Sequence, residues 1–298
     1  MAGRVTQTTH HFLNMKRLII DGNNLVHRAY WVSKLQPTFN EHFHIHLFLT
    51  SVKNYIVQYK PDVVYCTWDE KADYKINKRK ELLTEYKGNR DQERNKEVHT
   101  NNHIIKELLE YLGIKNVISQ SYEADDVMAI FNYLYPEDRK IIITVDKDMC
   151  QLISKDTVVF DPIRKVEFNL NNFKEHIGYE LVDFVKLKAL TGDKSDNIPG
   201  IKGFGKVKIN KFLNNEYEMT DEEKVVFENN LKLVDLSLTL SDKEEVQFVK
   251  EQFDTPVEAS FESFKNRCIE LQFNQITKSI DTWYNIFFMK SKLLELLG

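Results

Sequence analysis

The sequence predicts an α/β fold with a central, mostly parallel sheet flanked by helices. Apolar strand-like runs (RLIID, VVYCTWD, KIIITV) alternate with segments of helical spacing, the pattern of βαβ units whose sheet is covered on both faces. Acidic residues stand where those runs end or where a helix begins: Asp21, Asp69, Glu123, Asp125, Asp126, Asp146, Asp148, Asp193 and Asp196. With 298 residues, 42% of them apolar, the chain buries a sizeable core as one large domain or a domain with an appended subdomain.

Residues 1–14 are polar and lack periodicity, so a disordered leader is expected there. Residues 17–21 read as the first strand, ending in DGNN. Apolar spacing at Ile45, Phe48, Leu49, Val52 and Ile56 predicts a helix over 44–59, stopped by a Pro-Asp break. A second strand over 62–68, a helix over 101–112, a short third strand over 116–119 running into a helix at EADD, and a fourth strand over 140–145 follow. After Leu190 the chain reads TGDKSDNIPGIKGFGKVKINKFL, with glycines ordered G-x-x-G-x-G between helix-like segments and no strand before them, unlike the dinucleotide fingerprint. Amphipathic helices dominate from Thr220, and Ile280, Trp283, Phe287 and Leu294 continue that spacing, where core packing and docking on a partner compete as readings.

In parallel sheets ligands sit beyond the carboxyl ends of the strands. Asp21, Asp69 and Asp146 end strands and are therefore expected to face one crevice, joined by Glu123, Asp125 and Asp126 at a helix start that the macrodipole makes favourable for negative charge. Capping is a rival explanation for EADD but not for the strand-end aspartates. Carboxylates gathered within about 4 Å repel by about 4 kcal/mol per pair at an effective dielectric near 20, and divalent cations are the most direct relief. Asp146 and Asp148 share a face of extended backbone, and Asp193 and Asp196 share one of a helix.

The net charge of −4 speaks against attachment to nucleic acid by bulk charge. Residues 71–96, however, hold nine Lys/Arg against five Asp/Glu. A negative pocket beside a positive segment suits a polyanionic substrate, with a solvated loop as the competing reading. Gly200, Gly203 and Gly205 would let a hairpin present backbone N–H groups to phosphate, with Lys206, Lys208 and Lys211 following, a grip that reads no sequence; a glycine-rich helix end is the rival. Cys66, Cys150 and Cys268 lack C-x-x-C spacing, so neither a disulfide framework nor a zinc site is indicated. No apolar run approaches the roughly 20 residues a bilayer requires, and no secretory signal is present, so no membrane role and a cytosolic location are expected. His10, His11, His42, His44 and His46 lack a nucleophile elbow and a paired carboxylate motif, and His99 and His103 read as a solvated helix face rather than a metal pair.

In order along the chain, IIDGNN, TWDEK, EYKGNR, EADDVMAI, TVDKDMCQL and GDKSDNIPGIKGFGK resemble the 5′-nuclease family: flap endonucleases, phage 5′-3′ exonucleases and the 5′-nuclease domain of DNA polymerase I. The similarity runs from about Leu18 to Phe212, and six motifs in one order make it specific. It implies a PIN-like 5′-nuclease core over 15–180 with a helical arch at about 70–100. A helical region over 181–298 would carry a helix–hairpin–helix-type DNA-binding element at about 185–215. It also implies two divalent metal ions, Mg²⁺ or Mn²⁺. The first would be held by Asp69, Glu123, Asp125, Asp126 and Asp146, with Asp21 nearby through water, and the second by Asp148, Asp193 and Asp196. Lys87 and Arg90 match a basic pair facing the scissile phosphate, Tyr86 an aromatic on which a terminal base stacks, and Arg79 the arch arginine. Gly200, Gly203, Gly205, Lys206 and Lys208 match the element that grips duplex backbone with help from a monovalent cation.

The implied activity is hydrolysis of branched or 5′-ended DNA as a 5′-3′ exonuclease and flap endonuclease in replication and repair, extending to RNA–DNA hybrids and RNA primers. The enzyme would be a stand-alone monomer in the cytoplasm of a bacterium, encoded by it or by a phage, and contact of its C-terminal tail with a replication protein is the alternative to core packing of that tail. The chain departs from the family pattern at Lys78, Thr84 and Val207. Two rival readings are a PIN-like ribonuclease, against which the hairpin and EYKGNR speak, and a non-catalytic junction-binding protein, against which the full set of acids speaks.

Overall fold

The computed structural model describes residues 14–35, 42–71, 77–88 and 92–289. The leader up to residue 13, Arg90, and the tail beyond Met289 lie outside the described residues. Six strands, β1 (Lys16–Asp21), β2 (Val63–Lys71), β3 (Lys115–Ser119), β4 (Arg139–Ile143), β5 (Thr157–Asp161) and β6 (Val166–Phe168), form one sheet ordered β3-β2-β1-β4-β5-β6. Neighbours are parallel except β5 and β6. The helices are α1 (Gly22–Lys34), α2 (Phe43–Tyr59), α3 (Lys78–Leu82), α4 (Gln92–His99), α5 (Asn102–Tyr111), α6 (Ala124–Leu134) and α7 (Phe173–Ile177). They continue with α8 (Phe184–Thr191), α9 (Lys206–Leu213), α10 (Asp221–Val234), α11 (Lys243–Asp254), α12 (Phe261–Glu270), α13 (Asn274–Lys278) and α14 (Ile280–Phe287).

Alternation along the strands builds the two faces. Leu18, Ile20, Cys66, Trp68, Ile141 and Ile143 enter one apolar cluster, whereas Ile19, Tyr65 and Ile142 enter the other, as the period of two requires. The first cluster takes in α1, α2, α5 and the C-terminal helices, and the second takes in α6 and α11. Both faces are thus covered, which a parallel sheet demands.

From β1 the chain winds through β2 to β3 on one side, then returns to place β4 on the other side of β1. The crossovers diverge between β1 and β4, opening a crevice beyond their carboxyl ends. Asp21 ends β1, Asp69 lies late in β2, and Asp146 follows β4, so topology alone carries these acids to one rim.

The four expected strands and the helices over 44–59 and 101–112 are present within a few residues of the expected bounds. β5 and β6 were not anticipated, because strands of five and three residues around a DPIRK turn show too little alternation to stand out. Of the two readings of the tail, core packing describes its residues up to Met289. Trp283 is 1% exposed and packs on Phe264, with Lys53 over its ring at 5.1 Å, while Phe288 is also buried. Trp283 of α14 and Phe288 just after it are therefore core, with Tyr284 and Phe287 partly buried against the same cluster. No helix among the described residues is long and apolar enough to cross a membrane.

Candidate active site

The rim acids line a cavity of about 340 Å³ together with Asn23, Asn24, His27, Lys87 and His99. Asp21, Asp69, Asp125 and Asp146 are the carboxylates that reach it. Each strand-end acid also holds local backbone. Asp21 caps α1 by accepting from the Asn24 amide at 3.0 Å, and the Thr144 hydroxyl donates to its second oxygen at 2.8 Å. Asp69 accepts from the Ala124 amide at 2.8 Å, tying β2 to the start of α6. Asp146 accepts from the Asp148 amide at 2.8 Å, while the Thr144 hydroxyl receives the Asp146 amide at 3.0 Å. Burial pushes the Asp21 carboxyl up to about 7, with Asp69 and Asp146 adding repulsion. Burial, then Asp146 and Asp69, likewise raises Asp125 well above the usual carboxylate range.

Glu123 and Asp126 form a capping box on α6, but Asp126 is spent elsewhere as well. It is fully buried, accepts both guanidinium nitrogens of Arg79 at 2.5 and 2.8 Å, and receives the Thr239 hydroxyl at 2.5 Å. Its expected place among metal ligands is thus filled by an arginine. Arg79, expected to face DNA, is 6% exposed and gives its Nε to the Leu233 carbonyl at 2.9 Å. Tyr86, expected to stack on a base, is 3% exposed. Its ring lies in an apolar cluster with Ala189, Ile198, Leu233 and Val234, and its hydroxyl donates to Glu123 at 3.0 Å and Asp196 at 3.2 Å. These two cannot serve DNA as placed, because the arch base packs on α10 and the loop after α8.

Lys87 does reach the cavity, and its ammonium donates to Glu123 at 2.7 Å with Asp196 at 4.0 Å. Burial opposes its charge, but Glu123 and the surrounding acids outweigh burial and hold it protonated. Burial also opposes the charge of Glu123, which Lys87 and Arg79 keep below its ordinary pKa.

The second acid group is bridged by a residue the sequence reading missed. Lys188 of α8 donates to Asp193 at 2.6 Å and pairs with Asp148 at 2.8 Å. Burial and Asp146 raise Asp148 to about 6 despite that pairing. Asp193 is held at about 2, since Lys188 and Ser195 outweigh its burial. Nothing in the spacing marks Lys188, because its partners come from two separate segments. Thr144 offered a weak signal, standing between β4 and Asp146.

In the hairpin, Gly203 adopts φ +81° and is exposed, while a Cβ at Gly200 would lie 2.3 Å from the Thr191 carbonyl oxygen, so Gly200 serves close backbone packing. Lys206 and Lys202 are exposed. Lys208 instead donates to Glu223 at 2.6 Å and lies over the Phe204 and Tyr217 rings, so it braces the hairpin against α10.

Among the described residues no three His, Cys, Asp or Glu side chains stand close enough together, as placed, to hold a metal ion. The donor chemistry nevertheless suits a hard divalent ion, since the acids offer only oxygen and Asp21, Asp69, Asp125 and Asp146 line one cavity.

Comparison with known proteins gives a consistent result. The family described as 5′-3′ exonuclease, N-terminal resolvase-like domain, matches residues 16–178. The 5′-3′ exonuclease of Mycoplasmopsis pulmonis is 33% identical over 203 residues, 67% of this chain and 66% of that protein. DNA polymerase I of Caldicellulosiruptor bescii is 33% identical over 222 residues, 70% of this chain and 25% of that protein. The chain therefore spans less than two thirds of either relative's length. Among solved structures, T5 5′-exonuclease with bound zinc is 21% identical with a TM-score of 0.64, covering 80% of this chain and 98% of that one, a likeness of fold.

Proposed function

Because the chain belongs to the 5′-3′ exonuclease family, we propose that it is a structure-specific 5′ nuclease hydrolysing phosphodiesters in branched or 5′-ended DNA. The observation that carries this reading is the meeting of Asp21, Asp69, Asp125 and Asp146 around one cavity whose wall includes the Lys87 ammonium. Asp21, Asp69, Asp125 and Asp146 would hold one divalent ion, with Glu123 serving as the partner of Lys87, and Asp148, Asp193 and Asp196 would hold a second in competition with the Lys188 ammonium. Bound there, Mg²⁺, or Mn²⁺ in its place, supplies a water of lowered pKa and charge neutralisation at the phosphate.

The chain's own groups do the rest. Lys87, kept charged by Glu123, offers its ammonium to the negative charge that grows on the phosphate. Asn24 and Thr144 bond both oxygens of Asp21, which keeps that carboxyl in place at the cavity. Lys202 and Lys206, exposed on the hairpin, bind duplex phosphates away from the cut. A phosphate grip of this kind does not read bases, which extends the substrate range to RNA–DNA hybrids.

The test is incubation with 5′-flap DNA, blunt duplex and single-stranded RNA, each with Mg²⁺ or EDTA. Flap cleavage only with Mg²⁺, leaving 5′-phosphate and 3′-hydroxyl ends, is expected. Binding without cutting would favour a junction-binding protein, and preferential cutting of single-stranded RNA a PIN-like ribonuclease.

A further inference from the structure

The turn over residues 84–88 presents Lys87 to the cavity, yet its backbone is fastened to the loop after α8. The Lys87 amide donates to the Asp196 carbonyl at 3.0 Å, and the Asn197 side-chain amide donates to the Glu85 carbonyl at 3.1 Å. These bonds fall on either side of Tyr86, whose hydroxyl also reaches Asp196 at 3.2 Å. Lys87 has φ +53° and Asn197 φ +61°. A lysine in the left-handed region is uncommon and persists only where its surroundings dictate it, whereas asparagine tolerates that region well.

The loop is itself rigidly defined. Asp193 and Ile198 exchange backbone bonds of 2.9 and 2.8 Å, and Asp193 accepts from the Ser195 amide and hydroxyl at 2.8 and 2.6 Å. Asn230 of α10 donates to the Ala189 and Pro199 carbonyls at 2.8 and 2.7 Å, fixing both ends of the segment. Gly200 and the exposed lysines of the hairpin follow directly, so the Lys87 turn and the phosphate-gripping hairpin share one frame.

We infer that Asn197 is a positioning residue: by holding the Glu85 carbonyl it sets the left-handed turn that aims Lys87 at the reacting phosphate, and so registers Lys87 against the hairpin. This rests on the nuclease reading above. Its role lies in the side-chain amide and not in the fold of its own loop, since glycine at 197 would keep the left-handed backbone while removing only the donor.

The experiment uses the full chain with Asn197→Gly and Asn197→Asp, each alone and combined with Lys87→Ala, in single-turnover flap cleavage. Asn197→Gly is expected to lower the rate of cleavage about fivefold, and Asn197→Asp about tenfold because a carboxylate would then face a carbonyl, with flap affinity by fluorescence anisotropy within about twofold of the parent. In the Lys87→Ala background neither change should lower the rate further, because the group being aimed is gone. Equal losses in both backgrounds, or weakened binding with an unchanged rate, would overturn the assignment. Hydrogen exchange of the Lys87 amide supplies a readout independent of activity. Exchange in Asn197→Gly should quicken about tenfold at unchanged global stability, and unchanged exchange overturns the latch even if the parent cuts no DNA.

Discussion

Arg79 and Lys87 both reach Glu123, at 3.4 and 2.7 Å, yet their surroundings give them opposite work. Arg79 is a buried fork that satisfies Asp126, and its removal would leave that carboxylate inside the protein with only Thr239 and backbone. Arg79→Ala is therefore expected to lower unfolding free energy by about 3–5 kcal/mol, measured by urea denaturation; a loss below about 1 kcal/mol would return Arg79 to the surface. Lys87→Ala is expected to slow turnover roughly 10²–10³-fold, the effect of losing one preorganised donor, with KM for flap DNA little changed. Equal losses in rate and binding would reject its role at the phosphate. The sequence made both residues legible as cations of one basic segment, but not their separation. Charge pattern carries no depth, and Asp126 lies 47 positions from Arg79. The strand-end acids, by contrast, were legible because their placement follows from local apolar runs and from a topological rule.

At the scale of elements, the hairpin between α8 and α9 joins two kinds of glycine. Gly200 sits against the Thr191 carbonyl, whereas a Cβ at Gly205 would meet nothing within 4 Å. Gly205 also precedes α9 without a side-chain cap, so the phosphate grip proposed for this hairpin would fall on the first backbone N–H groups of the helix. Gly200→Ala should therefore lower the melting temperature markedly, while Gly205→Ala should leave it nearly unchanged and weaken duplex binding. Melting curves beside anisotropy titrations check the pair, and a destabilised Gly205→Ala with normal DNA affinity would contradict it. A glycine string in sequence reads as one device, since only the fold shows which member faces backbone and which faces solvent. The same limit hid the bracing role of Lys208, whose partner Glu223 stands 15 positions on in another helix. β5 and β6 escaped for a different reason: such short strands take their order from β4, which they extend.

Across the whole molecule, the C-terminal helices close the face of the sheet that α1 and α2 cover. Trp283 joins the same apolar cluster as Leu25 and Val26 of α1, the helix that Asp21 caps. Its helical spacing was legible, but an amphipathic segment at the end of a chain looks the same whether it packs inward or waits for a partner. The two cases separate experimentally. If α14 is core, Trp283→Ala removes a fully buried indole along with its contacts to Phe264, Phe287 and Lys53. The expected loss is then about 3–5 kcal/mol of stability, and a chain ending at Thr282 should lose at least as much. Because none of the residues lining the acid cavity comes from α12, α13 or α14, the folded fraction of either variant should cut 5′-flap DNA at nearly the parent rate below its melting temperature. A docking helix would give the reverse, with stability unchanged and activity lost only when other replication proteins are present. Denaturation midpoints measured beside flap-cleavage rates at low temperature decide between them, and a Trp283→Ala chain as stable as the parent would remove α14 from the core.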